Sequence, residues 1–403
     1  MTVFLIATLD TKGPEAEFVR ERLQDAGVDV ALVDTGCMGT PRAQADLLRE
    51  AVFEAAGTTL AEMRGQGARA VAVDAAALGA AALVAEAHAD GRVSGVMGLG
   101  GSAGTVIATS AMRALPLGVP KLMISTLASG NTRPFVRASD ILMANSVVDI
   151  LGLNKISRAV LGNAAAAMAG MVQAAPVGKE GEERPRVAIT MFGVTTPCVE
   201  RAKEVLEDAG VDVVVFHATG TGGEALESLI REGFFAGVLD LTTTELADEL
   251  VGGILSAGPT RLTAAAESGI PQVVSVGATD MVNFGARESV PSRFEGRLLY
   301  AHNAEVTLMR TTDAECAALG AEIGRKMAAG EGPSEVHLPL RGVSAIDQEG
   351  QPFDDAGARE ALFRAVRDHA GPVQVIEHDL HINDPTFAEA AALALLALMK
   401  ISQ

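Results

Sequence analysis

The chain of 403 residues resembles itself. Residues 23–30 read Leu-Gln-Asp-Ala-Gly-Val-Asp-Val, and residues 206–213 repeat them with one replacement, Glu207 for Gln24. Two further pairs of similar segments follow in the same order: residues 95–102 with 237–244, and residues 118–125 with 269–276. Three matches in one order predict that the two halves of the chain have the same fold.

Each half alternates apolar, strand-like runs with helix-length segments, and this alternation is typical of βαβ units with a parallel sheet. Gly27 and Gly210 lie where a helix would end before the next strand. We therefore predict an α/β protein of two tandem, doubly wound, Rossmann-like domains. The charged, Pro/Gly-containing stretch 174–185 is interpreted as a linker between domains at residues 1–178 and 186–403.

Charge and composition exclude several kinds of partner. The formal net charge of −19 disfavours nucleic acid and anionic membrane surfaces. Three widely spaced cysteines are typical of reduced thiols. The chain begins with a strand-like run rather than a leader, and we expect no apolar stretch to approach the roughly 20 residues of a membrane span, residues 388–399 being the nearest. A cytoplasmic protein is the expectation.

Ligands of open parallel sheets bind beyond the carboxyl ends of the strands. In the first half, four polar or Gly-rich loops follow predicted strands: residues 10–13, 34–36, 98–105 and 125–130. Glycines let a backbone approach a phosphate closely, and the N–H groups at a helix start bind anions. The residues predicted to bind a phosphate are Lys12, Gly100, Gly101, Ser102, Gly104, Thr105, Ser125 and Thr126.

The glycine spacing matches neither the P-loop nor the dinucleotide fingerprint. A Gly-rich turn can also be a tight strand-to-helix connection without a ligand, and this alternative stays open. The convergence of four such loops at one sheet edge favours a binding site.

The second half has different residues at the corresponding positions. Asp240 replaces Gly98, and His217 and Glu245 also lie in strand-end loops. This composition suits acid–base catalysis on an oxygen-rich substrate. Two alternatives remain: His217 is a structural histidine, and the two acids only cap helices.

Three weaker signals complete the set of candidates. Cys198 follows a predicted helix start, where the helix dipole would lower its pKa, although an idle thiol fits as well. Residues 377–384 contain two histidines and three acids, a conceivable but incomplete metal site. Arg310 could bind an anionic ligand or pair with a surface acid.

Seven segments together resemble an uncharacterised protein family related to the N-terminal ATP-binding domain of a plant tomato mosaic virus resistance protein: residues 98–105, 111–116, 146–149, 190–197, 217–222, 240–245 and 280–284. The resemblance covers nearly the whole chain. It implies two Rossmann-like halves, nucleotide binding and dimerisation. In the plant protein the domain is joined to a barrel, so the resemblance also points to a separate barrel-type partner protein for this chain.

Three functional hypotheses follow. The first is an ATP-dependent enzyme of small-molecule metabolism, a ligase or kinase with Mg²⁺ as a further candidate cofactor, acting at a cleft between the halves with His217, Asp240 and Glu245 as acid–base residues. The second is a non-catalytic nucleotide-binding module acting through a partner protein. The third is a lyase or hydrolase of a phosphorylated small molecule. We also expect a homodimer, with packing faces on the helices predicted at residues 154–172 and 385–400.

Overall fold

The computed structural model describes residues 1–65, 69–174 and 184–400. The chain divides into two compact units, Met1–Lys179 and Glu180–Gln403. Most of the predicted linker, residues 175–183, lies outside the described residues.

The described part of the first unit consists of five strands and seven helices: β1 (Thr2–Ala7), α1 (Leu9–Asp25), β2 (Asp29–Asp34), α2 (Arg49–Ala55), α3 (Leu60–Gly65), α4 (Arg69–Ala89), β3 (Gly95–Gly100), α5 (Ser102–Arg113), β4 (Lys121–Ser125), α6 (Arg133–Val136), β5 (Leu142–Asn145) and α7 (Lys155–Gln173). All strands are parallel, in the order β2-β1-β3-β4-β5. Alternate residues of β1 face opposite layers, because Phe4 and Ile6 pack towards α4 and α5 whereas Val3 and Leu5 pack towards α1 and α7.

The second unit begins its described part with β6 (Arg186–Met191), α8 (Thr196–Asp208), β7 (Asp212–His217), α9 (Thr221–Arg231), β8 (Gly237–Thr242), α10 (Thr244–Val251), α11 (Ala264–Ser268), β9 (Gln272–Gly277), β10 (Met281–Phe284), β11 (Leu299–Asn303), β12 (Val306–Arg310), α12 (Asp313–Ala328), β13 (Ser334–Pro339), α13 (Ala356–His369), β14 (Gln374–His378) and α14 (Pro385–Leu398). Short 3₁₀ turns lie at Gly193–Thr195, Arg287–Ser289 and Ser292–Phe294. Six strands form a parallel sheet in the order β7-β6-β8-β9-β13-β14. A separate antiparallel sheet, β10-β12-β11, was not predicted from the sequence.

The repeated segments occupy equivalent places in the two units, which confirms the predicted fold class. Strand order is the same for the first four strands of each unit, counted from its N-terminus. Gly27 and Gly210, with φ of 78° and 79°, end α1 and α8 in the left-handed conformation that glycine adopts most readily. Strands β3 and β8 are six residues long, and each is followed by one residue before the next helix.

The predicted dimer faces are occupied within the units themselves. In α7, Leu161, Ala165 and Met168 are buried in the core of the first unit. Helix α14 packs against α8, with Phe387 and Leu395 buried in the core of the second. These faces give no support to dimerisation, which stays a prediction from the resemblance.

The expectation about apolar stretches overlooked α4. This helix has 21 residues and is long and apolar enough to cross a membrane, the one such helix found among the described residues. It carries Asp74 and Glu86, and its Ala76, Ala80 and Val84 pack into the core of the first unit. A core helix passes the same test of length and composition.

Candidate functional site

The first sheet reverses its strand order between β1 and β3, the point at which doubly wound sheets bind ligands. A cavity of about 430 Å³ lies there. Its walls come from the start of α1, the loop after β2, the start of α4 and the start of α5. Lys12, Gly101, Ser102 and Gly104, four of the candidate phosphate-binding residues, are among the residues that line it.

The N-terminus of α5 forms one wall of this cavity. Gly101 precedes the helix, and no side chain caps it within the described residues. The first N–H groups of a helix have no partner inside the helix, and they bind anions together with the positive end of the helix dipole. The start of α5 is therefore suited to a phosphate group.

The glycines of the loop have two different roles. A side chain at Gly100 would lie 2.9 Å from Cα of Gly104, so these two residues allow β3 and α5 to pack closely. A side chain at Gly101 would meet only Oγ1 of Thr126, at 3.6 Å. The tight-connection alternative thus accounts for Gly100 and Gly104, whereas Gly101 keeps open the backbone that faces the cavity.

Three of the residues predicted to bind a phosphate instead form hydrogen bonds that hold the Gly-rich loop. The Thr105 hydroxyl lies 2.8 Å from the Gly101 carbonyl oxygen and 2.7 Å from the Ser125 hydroxyl, and both side chains are buried. The partly exposed Thr126 donates its backbone N–H to the Gly100 carbonyl oxygen. Thr105 and Ser125 hold the backbone of the loop, and neither is among the residues that line the cavity.

Lys12 supplies a positive charge at the edge of the cavity. The backbone of α1 departs from helical geometry at this residue, with φ −121° and ψ 17°. Its ammonium group donates to the Ile150 carbonyl oxygen and is only half-buried, so it can also bind an anionic ligand.

Two cavity residues were not singled out from the sequence, although both lie in the predicted loops. Asp10 accepts N–H groups of Met38 and Gly39 through Oδ2, at 3.2 and 2.9 Å, and so holds the loop after β2. Thr35 is only 3% exposed, and its hydroxyl has no partner within the described residues. An unpaired buried hydroxyl costs about 1–3 kcal/mol, so this group beside the cavity requires an explanation.

Asp34 precedes Thr35 and has a structural role. Its Oδ1 accepts N–H groups of Leu9 and Gly36, at 3.0 and 2.8 Å. Burial raises the pKa of this carboxyl, and the two N–H groups oppose the rise. These bonds tie the end of β2 to the start of α1.

Asp240 and Glu245 come together in the second unit through Arg261, a residue that sequence reasoning missed. Arg261 is fully buried and binds Asp240 at 2.5 and 2.8 Å and Glu245 at 2.7 Å. Glu227 lies 3.4 Å from the same guanidinium. Burial raises the pKa of Glu245, and Arg261 opposes the rise.

The Glu245 carboxylate also lies at the start of a helix, where an anion would bind. Its Oε1 accepts the N–H groups of Gly220 and Gly223, at 2.7 and 3.0 Å, at the start of α9. A carboxylate of the chain itself therefore fills the place that a ligand anion could take at this helix start.

His217 lies apart from these acids. It ends β7, the edge strand of its sheet, and its exposed ring contacts Phe192 with centroids 5.7 Å apart. Within the described residues, its ring has no hydrogen bond to Asp240 or Glu245. The histidine is thus accessible at the strand ends, while the two acids are buried.

Comparison with known proteins identifies the family. The N-terminal domain model of the uncharacterised protein family UPF0261 matches residues 1–176, and the C-terminal domain model matches residues 184–399. The chain belongs to the UPF0261 family. A UPF0261 protein of Clostridium tetani is 46% identical over 400 residues, covering 99% of each chain.

The predicted resemblance to the plant protein is confirmed. The ToMV resistance protein Tm-1(GCR237) of Solanum lycopersicum is 40% identical over 427 residues, covering 98% of this chain and 55% of the tomato protein. Among solved structures, the esterase domain of a Rhodothermus marinus protein is 14% identical over 53% of this chain and 88% of its own, with a TM-score of 0.30. A similarity this weak carries no argument about function.

Two of the weaker candidates in this UPF0261 chain, Cys198 and Arg310, are buried side chains. Cys198 is fully buried, and burial raises its pKa to about 12, so the predicted lowering by the helix dipole was wrong. Arg310 is 5% exposed and lies 3.3 Å from the carboxylate of Asp347. Because Asp347 is also buried, the partner of Arg310 is not a surface acid.

Residues 377–384 form no metal site. No group of three or more histidine, cysteine or acidic side chains among the described residues has the arrangement to hold a metal ion. His378 instead lies 3.1 Å from His337, nitrogen to nitrogen, and stacks on its ring.

Proposed function

We propose that this UPF0261 chain is an ATP-binding protein whose first unit holds the nucleotide in the cavity at the start of α5. The observation that carries the proposal is the uncapped N-terminus of α5, next to Gly101, at the point where the strand order reverses. Backbone N–H groups and the half-buried Lys12 would bind the phosphates there.

The rest of the cavity suits the other parts of a nucleotide. Its lining also includes the apolar side chains of Met38, Ala72, Val73 and Ile107. A volume of about 430 Å³ lies within the range of small-molecule sites, about 300–1,000 Å³. The phosphates would lie at the start of α5 and the base against these apolar side chains.

Mg²⁺ would enter with the nucleotide. Magnesium sites in nucleotide-binding proteins use one or two carboxylates together with substrate phosphates. Asp10 is the one carboxylate residue that lines the cavity within the described residues, and only its Oδ2 is engaged by N–H groups. The ion would be held mainly by the phosphates and by water, so that Oδ1 of Asp10 stays available to the nucleotide itself.

We also propose that the protein uses ATP in an enzymatic reaction on a small, oxygen-rich metabolite. His217 is the acid–base candidate that the fold leaves accessible. Glu245 would hold the loop after His217 through the N–H groups of Gly220 and Gly223, and Asp240 would position Glu245 through their shared partner Arg261. A cytoplasmic homodimer, with a separate barrel-type partner protein, remains part of this proposal.

Two measurements test the proposed function. Calorimetric titration with ATP and Mg²⁺ measures binding, and ADP release with and without pools of metabolites measures turnover. Binding with turnover supports an ATP-dependent enzyme. Binding without turnover would favour a nucleotide-binding module that acts through a partner, and binding of a phosphorylated metabolite in place of ATP would favour a lyase or hydrolase.

A further inference from the structure

We infer that the cavity of the first unit recognises a sugar hydroxyl of its nucleotide through Thr35, and therefore distinguishes a ribonucleotide from its deoxy counterpart. This inference rests on the proposed nucleotide binding and adds the residue that determines sugar specificity.

Thr35 directly follows β2, which lies next to β1 and on the opposite side of β1 from β3. The phosphate-binding start of α5 follows β3. A nucleotide with its phosphates at α5 extends across the end of β1 towards the end of β2, where a doubly wound sheet holds the ribose.

The two polar side chains at the end of β2 differ in their hydrogen bonding. Asp34, the acid at the strand end, already accepts two backbone N–H groups through Oδ1. Thr35 lines the same cavity, and its hydroxyl has no partner within the described residues. The hydroxyl is buried in this conformation. Rotation about χ1 to another staggered position moves it to where the methyl group or the hydrogen now lies, and there a bound sugar hydroxyl can give it the hydrogen bond that the free protein lacks.

Asp10 provides the second polar contact. It lines the cavity, and a side chain at Gly36, the residue after Thr35, would lie 2.7 Å from its Oδ1. This carboxylate oxygen accepts no hydrogen bond within the described residues, while Oδ2 is bound to the N–H groups of Met38 and Gly39. An acceptor beside a free hydroxyl is the pair of groups that a sugar hydroxyl binds.

The test compares ATP, 2′-deoxyATP, 3′-deoxyATP and tripolyphosphate by calorimetry, on wild type and on Thr35→Val, which removes the hydroxyl and keeps the shape. We expect one of the deoxy nucleotides to bind wild type about 2- to 10-fold more weakly than ATP. In the variant, ATP and that analogue should bind equally, and tripolyphosphate should bind as in wild type.

A stability control separates this role from a structural one. Thr109 is also buried, but its hydroxyl donates to the Thr105 carbonyl oxygen at 2.7 Å. Thr109→Val should lower the melting temperature, whereas Thr35→Val should not.

The inference is overturned if wild type binds both deoxy nucleotides as tightly as ATP, or if Thr35→Val keeps the preference. Absence of binding by both ATP and tripolyphosphate would instead overturn the proposed function, and this inference with it.

Discussion

Arg261 and Asp240 form a doubly bonded, fully buried ion pair, with Nη1 2.5 Å from Oδ2 and Nη2 2.8 Å from Oδ1. The same guanidinium binds Glu245 through Nε. One side chain thereby joins the end of β8, the start of α10 and the segment before α11. Two of the three residues predicted to be catalytic are thus held in place by a cation from a distant loop.

Removal of this cation should destabilise the second unit. Arg261→Met leaves Asp240, Glu245 and Glu227 buried without their shared partner, and breaking a buried pair in this way costs about 3–5 kcal/mol. Urea denaturation followed by circular dichroism measures the loss. Arg341→Met, which removes an exposed pair with Asp379, is the matched control and should leave the midpoint nearly unchanged. Equal midpoints for the two variants would contradict a stabilising role for Arg261.

Stability should also depend on pH through Asp280. This carboxyl is fully buried, and burial, with the nearby Asp347, raises its pKa to about 7. Because the pKa in an unfolded chain is about 3.9, the contribution of Asp280 to stability is complete below that pH and is lost as the pH rises through about 7.

The free energy of unfolding of Asp280→Asn should therefore rise relative to that of wild type, by up to about 1.4 kcal/mol per pH unit between pH 5 and 7. Urea denaturation at several pH values measures the difference. Asp379→Asn, at an exposed carboxyl with a lowered pKa, should show no such trend. A constant difference between Asp280→Asn and wild type over this range would show that Asp280 is ionised throughout.

His217→Asn should abolish metabolite-dependent ADP release while ATP affinity stays unchanged, because the nucleotide is assigned to the first unit. The assay is the turnover measurement with metabolite pools. His302→Asn alters another exposed histidine, on β11 and away from the strand-end loops of the parallel sheet, and should retain turnover. Full activity in His217→Asn would leave the histidine without a catalytic role.

Much of the fold was predictable because the repeat reports on local structure. The glycines before β2 and β7 end a helix through contacts with a few neighbouring residues, so the same sequence pattern marks them in both halves. The turns after β3 and β8 have the same length, although their residues differ. The sheet β10-β12-β11 has no counterpart in the part of the first unit that the structure describes, and the repeat could not reveal it.

The site was less predictable, since its contacts join residues far apart in the chain. Arg261 belongs to a loop outside the repeat, and its partners Glu227, Asp240 and Glu245 lie on three different elements. The separate roles of Gly100 and Gly101 depend on backbone positions that a run of glycines does not disclose. Thr35 stands out only because its hydroxyl lacks a partner.

The two glycines should respond differently to the same substitution. Gly100→Val forces a side chain against the backbone of Gly104 and should cost about 1–3 kcal/mol of stability. Gly101→Val meets only the Thr126 hydroxyl and should leave the fold intact. Thermal denaturation of both variants tests this contrast, and a melting temperature lowered equally in both would refute it.

The most direct test of nucleotide binding at the start of α5 is a calorimetric titration of ATP and Mg²⁺ into wild type and Gly101→Val. Saturable binding to wild type, weakened by at least about tenfold in a folded Gly101→Val, is the predicted result, because the added side chain blocks close approach of a phosphate to the backbone. No binding of ATP to wild type, or equal affinity in the folded variant, would contradict the assignment.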